Sequence, residues 1–223
     1  MEQSKEKNQK NPMSFVWDDK QDCTGCSACV FKCAHHAITM RADEEGFAYP
    51  YVDAKLCTDC GLCRAICPQG DKGDRFLNKG KSSFYGGKVK DEGLLLSSSS
   101  GGAFSAICSL FDEKSIVCGC TYGDNMKVMH RCLPNTEQIK EFRKSKYLQS
   151  DIGDCFVQIK NYLSMGKTVL FIGTSCQVAG LYAYMGRKPQ GLITVDLICH
   201  GVPSQMVFDK YLNSLKRRSK TDI

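Results

Sequence analysis

The amino-acid sequence predicts a small cysteine-rich α+β domain followed by a larger α/β domain with a partly parallel sheet. Two runs of four cysteines with one shared spacing occupy the first third of the chain. In the second half, short apolar segments rich in β-branched residues alternate with segments of helical periodicity. A polar, glycine-rich stretch separates the two parts. The predicted organisation is a polar tail over 1–16, a cysteine-rich domain over 17–70, a linker over 71–93 and an α/β domain over 94–223.

The 15 cysteines among 223 residues constrain the function more than any other feature of the composition. The chain starts with the polar stretch MEQSKEKNQKNPMSF, which lacks the apolar core of a secretion signal. No apolar run reaches the roughly 18 residues of a membrane span. We therefore expect a cytoplasmic protein whose cysteines serve metals or redox chemistry. The net charge of +6 forms no basic stripe interleaved with aromatic residues, so we expect no nucleic-acid partner.

Each cysteine run has the spacing C-x2-C-x2-C-x3-C, and the second run is followed by Pro68. This spacing is typical of proteins with two [4Fe–4S] clusters, in which the fourth cysteine of each run binds the other cluster. The predicted ligands are Cys23, Cys26, Cys29 and Cys67 for cluster one, and Cys57, Cys60, Cys63 and Cys33 for cluster two. The first domain is therefore predicted to be a ferredoxin-like domain.

Zinc is the alternative for these cysteines, because C-x2-C pairs also bind zinc. A third cysteine at the same spacing has no role in a tetrahedral zinc site, so the pattern favours iron–sulfur clusters. Between the runs, AITMRADEEGFAYPYVD predicts two strands joined by a hairpin turn at Glu45-Gly46.

The second domain begins with a serine- and glycine-rich loop over 98–102 that leads into a helix starting near Ala103. KSIVCGCTY and NMKVMHRC predict a hairpin across Gly123-Asp124-Asn125, and an amphipathic helix that stops at Gly166 follows. The apolar segments KTVLFIG and GLITVDLIC predict central parallel strands that flank the helix in CQVAGLYAYMG. A last helix is predicted from Ser204 through Leu215.

Cys176 and Cys199 each come just after one of the two predicted parallel strands. Since the carboxyl ends of parallel strands meet at one edge of a sheet, these cysteines belong to the edge where open α/β folds bind ligands. They are interpreted as part of a metal site, as a reactive thiol pair, or as ordinary buried cysteines. We expect the other five to pack in the core, and Cys118 and Cys120 to face opposite sides of their strand. These five are Cys108, Cys118, Cys120, Cys132 and Cys155.

The segments SSSGGAFSA, SKYLQS, LFIGTSCQVAGL and DLICHGVPS, downstream of two ferredoxin-type runs, resemble the family of coenzyme F420 hydrogenase/dehydrogenase beta subunits. The resemblance implies an iron–sulfur flavoprotein with an α/β flavin-binding domain, in which FAD lies near Ser100, Gly101, Gly102 and Lys146. It also implies that Cys176 and Cys199 bind a third [4Fe–4S] cluster, completed by residues beyond 223. The chain is accordingly interpreted as a fragment of a longer protein.

Three functions follow as hypotheses. The first is a flavin-dependent oxidoreductase that passes electrons between the clusters and FAD, with a redox partner protein or ferredoxin-type donor on one side. On the other side it would reduce or oxidise coenzyme F420 or another small hydride acceptor. The alternative is an electron-transfer subunit that relays electrons to a separate catalytic protein. A third is a binding module of a glycan- or nucleotide-modifying system. No catalytic residue is assigned.

Overall fold

The computed structural model describes residues 13–15, 19–70 and 80–219, and its seven strands form two sheets. The first sheet contains Met13–Phe15 (β1), Ile38–Ala42 (β2) and Ala48–Asp53 (β3). The second contains Ile116–Tyr122 (β4), Val128–Pro134 (β5), Val169–Thr174 (β6) and Leu192–Leu197 (β7). The helices are Ala28–Lys32 (α1), Leu62–Ala65 (α2), Glu92–Leu96 (α3), Ala103–Cys108 (α4), Cys155–Ser164 (α5), Ser175–Met185 (α6) and Gln205–Ser219 (α7). Short 3-10 helices cover Lys20–Asp22, Asp124–Met126 and Glu137–Phe142.

The first sheet is antiparallel with the order β1-β3-β2. The predicted hairpin is present, and Ala42 pairs with Ala48 around a turn in which Gly46 has φ +83°. The Asp43 carboxylate accepts the amides of Glu45 and Phe47 and so stabilises this turn. Strand β1 lies within the segment predicted as a polar tail, where three residues are too few to show a strand pattern.

The second sheet has the order β5-β4-β6-β7. Strands β4 and β5 are antiparallel, while β4, β6 and β7 are parallel, so the predicted partly parallel sheet is confirmed. One face packs against α5 and α6 through Phe156, Phe171 and Leu181, which are fully buried. The other face packs against α4 and the 3-10 helix over Glu137–Phe142. Both faces of the sheet are thus covered along Val169–Ile172 of β6.

The expectation that β7 is a central strand is wrong. It is the outermost of the four strands in the described sheet, and Leu197 is 51% exposed. An apolar, β-branched run is typical of buried parallel strands, but the run by itself does not encode which strands lie beside it. The central parallel strand is β6, whose Val169, Leu170 and Phe171 are fully buried.

The two sheets belong to units that pack closely together. The Phe31 ring of α1 lies 5.5 Å from that of Phe156 in α5, so the ferredoxin-like unit shares the core of the second domain. The amide of Ala48 donates to Gln149 Oε1 at 2.8 Å. The buried Ser204 hydroxyl donates to the carbonyl of Glu45. Part of the predicted linker, 71–79, lies outside the described residues.

Candidate metal centres and ligand loops

The two cysteine runs adopt the same backbone path. Gly25 and Ser27 in the first run have φ +67° and +63°, and the equivalent Asp59 and Gly61 have φ +58° and +70°. These left-handed residues turn amides toward sulfur, so Gly25 N donates to Cys23 Sγ and Asp59 N donates to Cys57 Sγ, each at 3.4 Å. Such hydrogen bonds help to set the reduction potential of a cluster.

A small, partly open cavity of about 20 Å³ lies in the first unit. Its wall contains all four cysteines predicted for cluster one, including Cys67 from the second run. Thr24, Pro50 and Pro68 complete much of the remaining wall. Four thiols that converge from two separate runs fit a [4Fe–4S] cubane, which needs one sulfur ligand for each iron. The residues therefore fit the predicted cluster.

Around this cavity Cys26 is buried and the other three cysteines are partly buried, and burial is the largest influence on the pKa of Cys23, Cys26 and Cys29. It raises the pKa of Cys23 and of Cys29, and it raises the pKa of Cys26 to about 12, with smaller contributions from neighbouring thiolates. Iron binds the deprotonated sulfur, so cluster assembly must displace these protons. The thiols of Cys23, Cys26 and Cys29 thus favour the protonated, neutral form until a bound metal supplies the compensating charge.

The cysteines predicted for cluster two lie closer to solvent. Cys57 and Cys60 are exposed, whereas Cys63 and Cys33 are partly buried against Ile38 and Val52. Burial raises the pKa of Cys63, with smaller contributions from Cys57 and Cys60.

Helix α6 of the second domain packs directly on the loop of cluster one. Gly180 makes this approach possible, because a Cβ at this position would lie 2.9 Å from Cys26 Cβ and 3.1 Å from Cys26 Sγ. Ala183, one turn later, is fully buried in a small core with Cys26, Ala28 and Ile66. The second domain therefore lies against the cysteines predicted to bind cluster one.

Cys176 and Cys199 lie as predicted at the carboxyl ends of β6 and β7. Cys176 is the second residue of α6, and its sulfur lies 3.1 Å from Thr174 Oγ1. It is also close enough to Cys23 and Cys26 for its charge to contribute to their raised pKa values, after the larger effect of burial. Cys199 is exposed and accepts the amide of Gly201 at 3.4 Å. Cys176 thus lies beside the predicted cluster one.

The loop predicted to approach FAD is tightly turned. Ser100 has φ +51° and Gly102, which caps α4, has φ +74°. Gly101 is pressed against the backbone of Gly87, whose oxygen would lie 2.5 Å from a Cβ at position 101. The Gly101 carbonyl accepts the amide of Val89 at 2.9 Å. The contact with the Gly87 backbone is therefore sufficient to exclude a side chain at position 101, whether or not a cofactor binds.

Arg143 places positive charge beside this loop, and Lys146 lies against the Arg143 carbonyl. Lys146 Nζ donates to the carbonyls of Glu141, Arg143 and Lys144 at 2.7–3.1 Å, and partial burial lowers the pKa of Lys146. The Arg143 guanidinium donates to the hydroxyls of Ser97 and Ser105 at 3.2 and 3.1 Å. Sequence reasoning missed Arg143. Its position three residues before Lys146, in the same basic segment, could have marked it as a further residue beside the loop.

A buried polar network connects His130 to Thr174, which contacts Cys176. His130 is 4% exposed, contacts Ser150 Oγ at 3.1 Å through Nδ1 and stacks on Phe171 with 5.5 Å between ring centroids. Gln177 donates to Ser150 Oγ at 2.8 Å and accepts the amide of Thr174 at 3.0 Å. Burial lowers the pKa of His130 to about 4, so its imidazole is neutral at physiological pH.

Three cysteines assigned to the core come together in a way that the sequence interpretation did not anticipate. Cys118 and Cys132 form a disulfide, and Cys155 Sγ lies 3.2 Å from Cys132 Sγ. The expectation that Cys118 and Cys120 face opposite sides of the sheet is wrong, because residues two apart on a strand share a face. The predicted hairpin was sufficient to predict that Cys118 and Cys132 are neighbours. Pairing around Asn125 places Cys118 opposite Cys132, as the structure shows.

Comparison with known proteins identifies the class of the first unit. Residues 22–70 match the family model described as "4Fe-4S dicluster domain". Over 52 residues the chain is 42% identical to the "Ferredoxin-like protein in nif region" of Rhizobium leguminosarum bv. trifolii, covering 21% of this chain and 73% of that protein. Through this domain the chain belongs to the 4Fe-4S dicluster family of iron–sulfur electron-transfer proteins.

A second relative extends over both units. It is one of the subunits of the "F(420)H(2) dehydrogenase" of Methanosarcina mazei, and it is 26% identical over 220 residues, which cover 90% of this chain. This chain spans 60% of the length of that relative. The match relates the protein to a dehydrogenase subunit and is consistent with an oxidoreductase role. None of the helices in the described ranges combines the length and apolarity that a membrane crossing requires.

Proposed function

We propose that the protein is an iron–sulfur flavoprotein oxidoreductase of the coenzyme F420 hydrogenase/dehydrogenase beta-subunit type. The observation that carries this proposal is the cavity lined by Cys23, Cys26, Cys29 and Cys67, which lies against α6 of the second domain. A cluster in this cavity would contact the domain proposed to hold the flavin. An iron–sulfur electron-transfer role follows from the dicluster domain, and the proposal adds the flavin and the substrate.

In this proposal the second domain holds FAD at the loop over 98–102. When bound, FAD exchanges two electrons as hydride or gives them up singly, whereas each cluster carries one. Ser100, Gly101 and Gly102 would supply backbone groups to the cofactor. Arg143, whose guanidinium lies beside this loop on the hydroxyls of Ser97 and Ser105, would stabilise its anionic groups, and Lys146, which lies against the Arg143 carbonyl, would add a second positive charge. Coenzyme F420 or another small hydride acceptor would be the substrate.

Cys176 and Cys199 would bind a third [4Fe–4S] cluster together with cysteines outside this sequence. Their positions at the carboxyl ends of neighbouring parallel strands support this assignment. The assignment requires that the chain be part of a longer protein, and this chain spans 60% of the length of the related dehydrogenase subunit.

The proposal is tested first by composition. The full-length protein, purified without oxygen, is expected to contain about one flavin and about twelve iron atoms per chain, given four irons per cluster. About eight irons with no flavin would reject both the FAD site and the third cluster. Replacing both Cys176 and Cys199 by Ser should remove about four irons, and unchanged iron content would exclude them as ligands.

Two double variants test the prediction that the fourth cysteine of each run binds the cluster held by the other run. Cys29→Ser with Cys67→Ser removes two ligands of one predicted cluster, so iron should fall by about four atoms per chain. Cys63→Ser with Cys67→Ser damages both predicted clusters and should remove about eight. If each run instead held its own cluster, the two results would be reversed.

A relay subunit without flavin is the second candidate, and two contacts favour it. The backbone at Gly87 covers one side of Gly101, and all three protons of Lys146 are directed to backbone carbonyls. Flavin content distinguishes the candidates. A relay would contain no FAD and would reduce no hydride acceptor unless its catalytic partner were added.

A further inference from the structure

The register of the β4–β5 hairpin sets two cysteines directly opposite each other. Cys118 pairs with Cys132, and their Cα atoms lie 4.1 Å apart. So short a separation is typical of the non-hydrogen-bonded pairs of an antiparallel ladder, in which side chains approach most closely. The two sulfurs are bonded as a disulfide. The bond therefore lies within a sheet and joins neighbouring strands.

A third sulfur comes from the helix that packs on this face of the sheet. Cys155 is the first residue of α5, is 1% exposed, and places its Sγ 3.2 Å from Cys132 Sγ. All three Sγ atoms lie within 4.8 Å of one another. None of the three belongs to the predicted cluster ligands, so the cluster chemistry leaves this group unexplained.

The surroundings of the three sulfurs are apolar. The core around them contains, among others, Ile116, Ile152, Phe156, Val169 and Phe171, all at most 5% exposed. A metal held by three thiolates would leave uncompensated charge here, and burying charge without a partner is costly. A disulfide beside a protonated thiol is neutral. Burial raises the pKa of Cys155 to about 12, in agreement with the neutral thiol.

We propose that Cys118, Cys132 and Cys155 form a buried redox-active sulfur site, in which the disulfide exchanges partners with the adjacent thiol. Cys155 loses its proton and its sulfur bonds to Cys132, the Cys118–Cys132 bond breaks, and Cys118 takes up the proton. This step transfers no net electrons. A dithiol reductant would supply two electrons and two protons to open the disulfide, leaving three thiols and becoming a disulfide itself.

The exchange changes what the covalent bond connects. In the present state it joins β4 to β5 within the sheet, whereas a Cys132–Cys155 bond would join β5 to α5. The site is independent of the proposed flavin and of the substrate. Its role would be to store a pair of electrons, or record the thiol redox state, inside the second domain.

Peptide mapping tests the exchange in the full-length protein with its clusters in place. Free thiols are blocked during rapid denaturation in acid, and the chain is cleaved after Lys and Arg. The three cysteines then fall on separate peptides, 115–127, 132–140 and 147–160. We expect the wild type to show mainly the 115–127 to 132–140 link, with the 132–140 to 147–160 link as a minor species.

The variants define the outcome. All samples are treated with a small disulfide oxidant, which takes up two electrons and two protons and is reduced to two thiols. Cys118→Ser should then lose the first link and form the Cys132–Cys155 link, whereas Cys155→Ser should retain only the Cys118–Cys132 link. All samples, including the reference called wild type in this experiment, carry Cys120→Ser because Cys120 shares a peptide with Cys118. Cys108→Ser is the matched control, because Cys108 is also buried (2% exposed) but belongs to another core cluster. It should change neither link.

The proposal fails if Cys132 and Cys155 remain free thiols in Cys118→Ser while the control retains its disulfide. Should Cys118→Ser not fold, the wild type is held at neutral and at mildly alkaline pH before mapping. Complete absence of the 132–140 to 147–160 link under both conditions would overturn the proposal. So would the recovery of a zinc ion that is lost in Cys155→Ser, since these sulfurs would then be metal ligands.

Discussion

At the scale of single residues, His130 is a buried base kept neutral by its surroundings. Its ring stacks on Phe171 and contacts Ser150 Oγ and the carbonyl oxygen of Ile172. Burial lowers the pKa of His130 from 6.5 to about 4. Between these two values the unfolded chain binds more protons than the folded one, so the folded state loses stability as the pH falls through this window.

This linkage predicts the stability of the protein in mild acid. Lowering the pH from 7 to about 5.5 should reduce the free energy of unfolding by roughly 1.2 kcal/mol through His130 alone. His130→Gln should remove that part of the pH dependence, whereas His35→Gln, which alters an exposed histidine, should retain it. Denaturant unfolding without oxygen at the two pH values measures this. Equal pH dependence in wild type and His130→Gln would contradict the assignment.

At the scale of elements, the contact between α6 and the cluster-one loop depends on one glycine. Alanine normally stabilises a helix interior relative to glycine by up to about 1 kcal/mol. Gly180→Ala should do the opposite, because its Cβ would lie 2.9 Å from Cys26 Cβ. We expect a loss of roughly 1–3 kcal/mol in the free energy of unfolding, as for other overpacked sites.

The same variant should bind less iron in cluster one, while the spectroscopic signal of cluster two persists. Iron analysis, electron paramagnetic resonance and denaturant unfolding together measure this. Because helix propensity alone predicts stabilisation, an increase in stability with full iron content would show that α6 does not press on Cys26.

Local patterns predicted most of these elements. The turn at Glu45-Gly46, the strand pairing around Asn125 and the parallel pair β6 and β7 follow from hydrophobic periodicity and turn residues within about 20 residues. The edge position of β7 and the approach of Cys155 to Cys132 depend on packing between segments far apart in the chain. Sequence periodicity identifies the buried face of each element, but it does not identify the partner.

At the scale of the whole molecule, the two units are expected to unfold together. Phe31 and Phe156 join their cores, and the hydrogen bonds from Ser204 to Glu45 and between Ala48 and Gln149 connect their loops. The visible absorbance of the clusters and the far-ultraviolet circular dichroism should therefore disappear at the same denaturant concentration.

Ser204→Ala tests this coupling. It leaves the carbonyl of Glu45 without its buried donor, which should cost about 1–3 kcal/mol and shift both signals together. Ser164→Ala removes an exposed hydroxyl that bonds only within α5 and should change stability by less than about 0.5 kcal/mol. If the cluster signal moved in Ser204→Ala while the circular dichroism did not, the two units would unfold independently.

The missing side chain at Gly180 also bears on how electrons travel. Tunnelling between redox centres weakens with each ångström of gap, and here the α6 backbone approaches the sulfur of Cys26 with no side chain between them. The other predicted cluster has Cys57 and Cys60 at the surface. With clusters bound as proposed, electron transfer would have a preferred direction. Cluster two, at the surface, would accept electrons from a protein donor, and cluster one, beside α6, would pass them to the second domain.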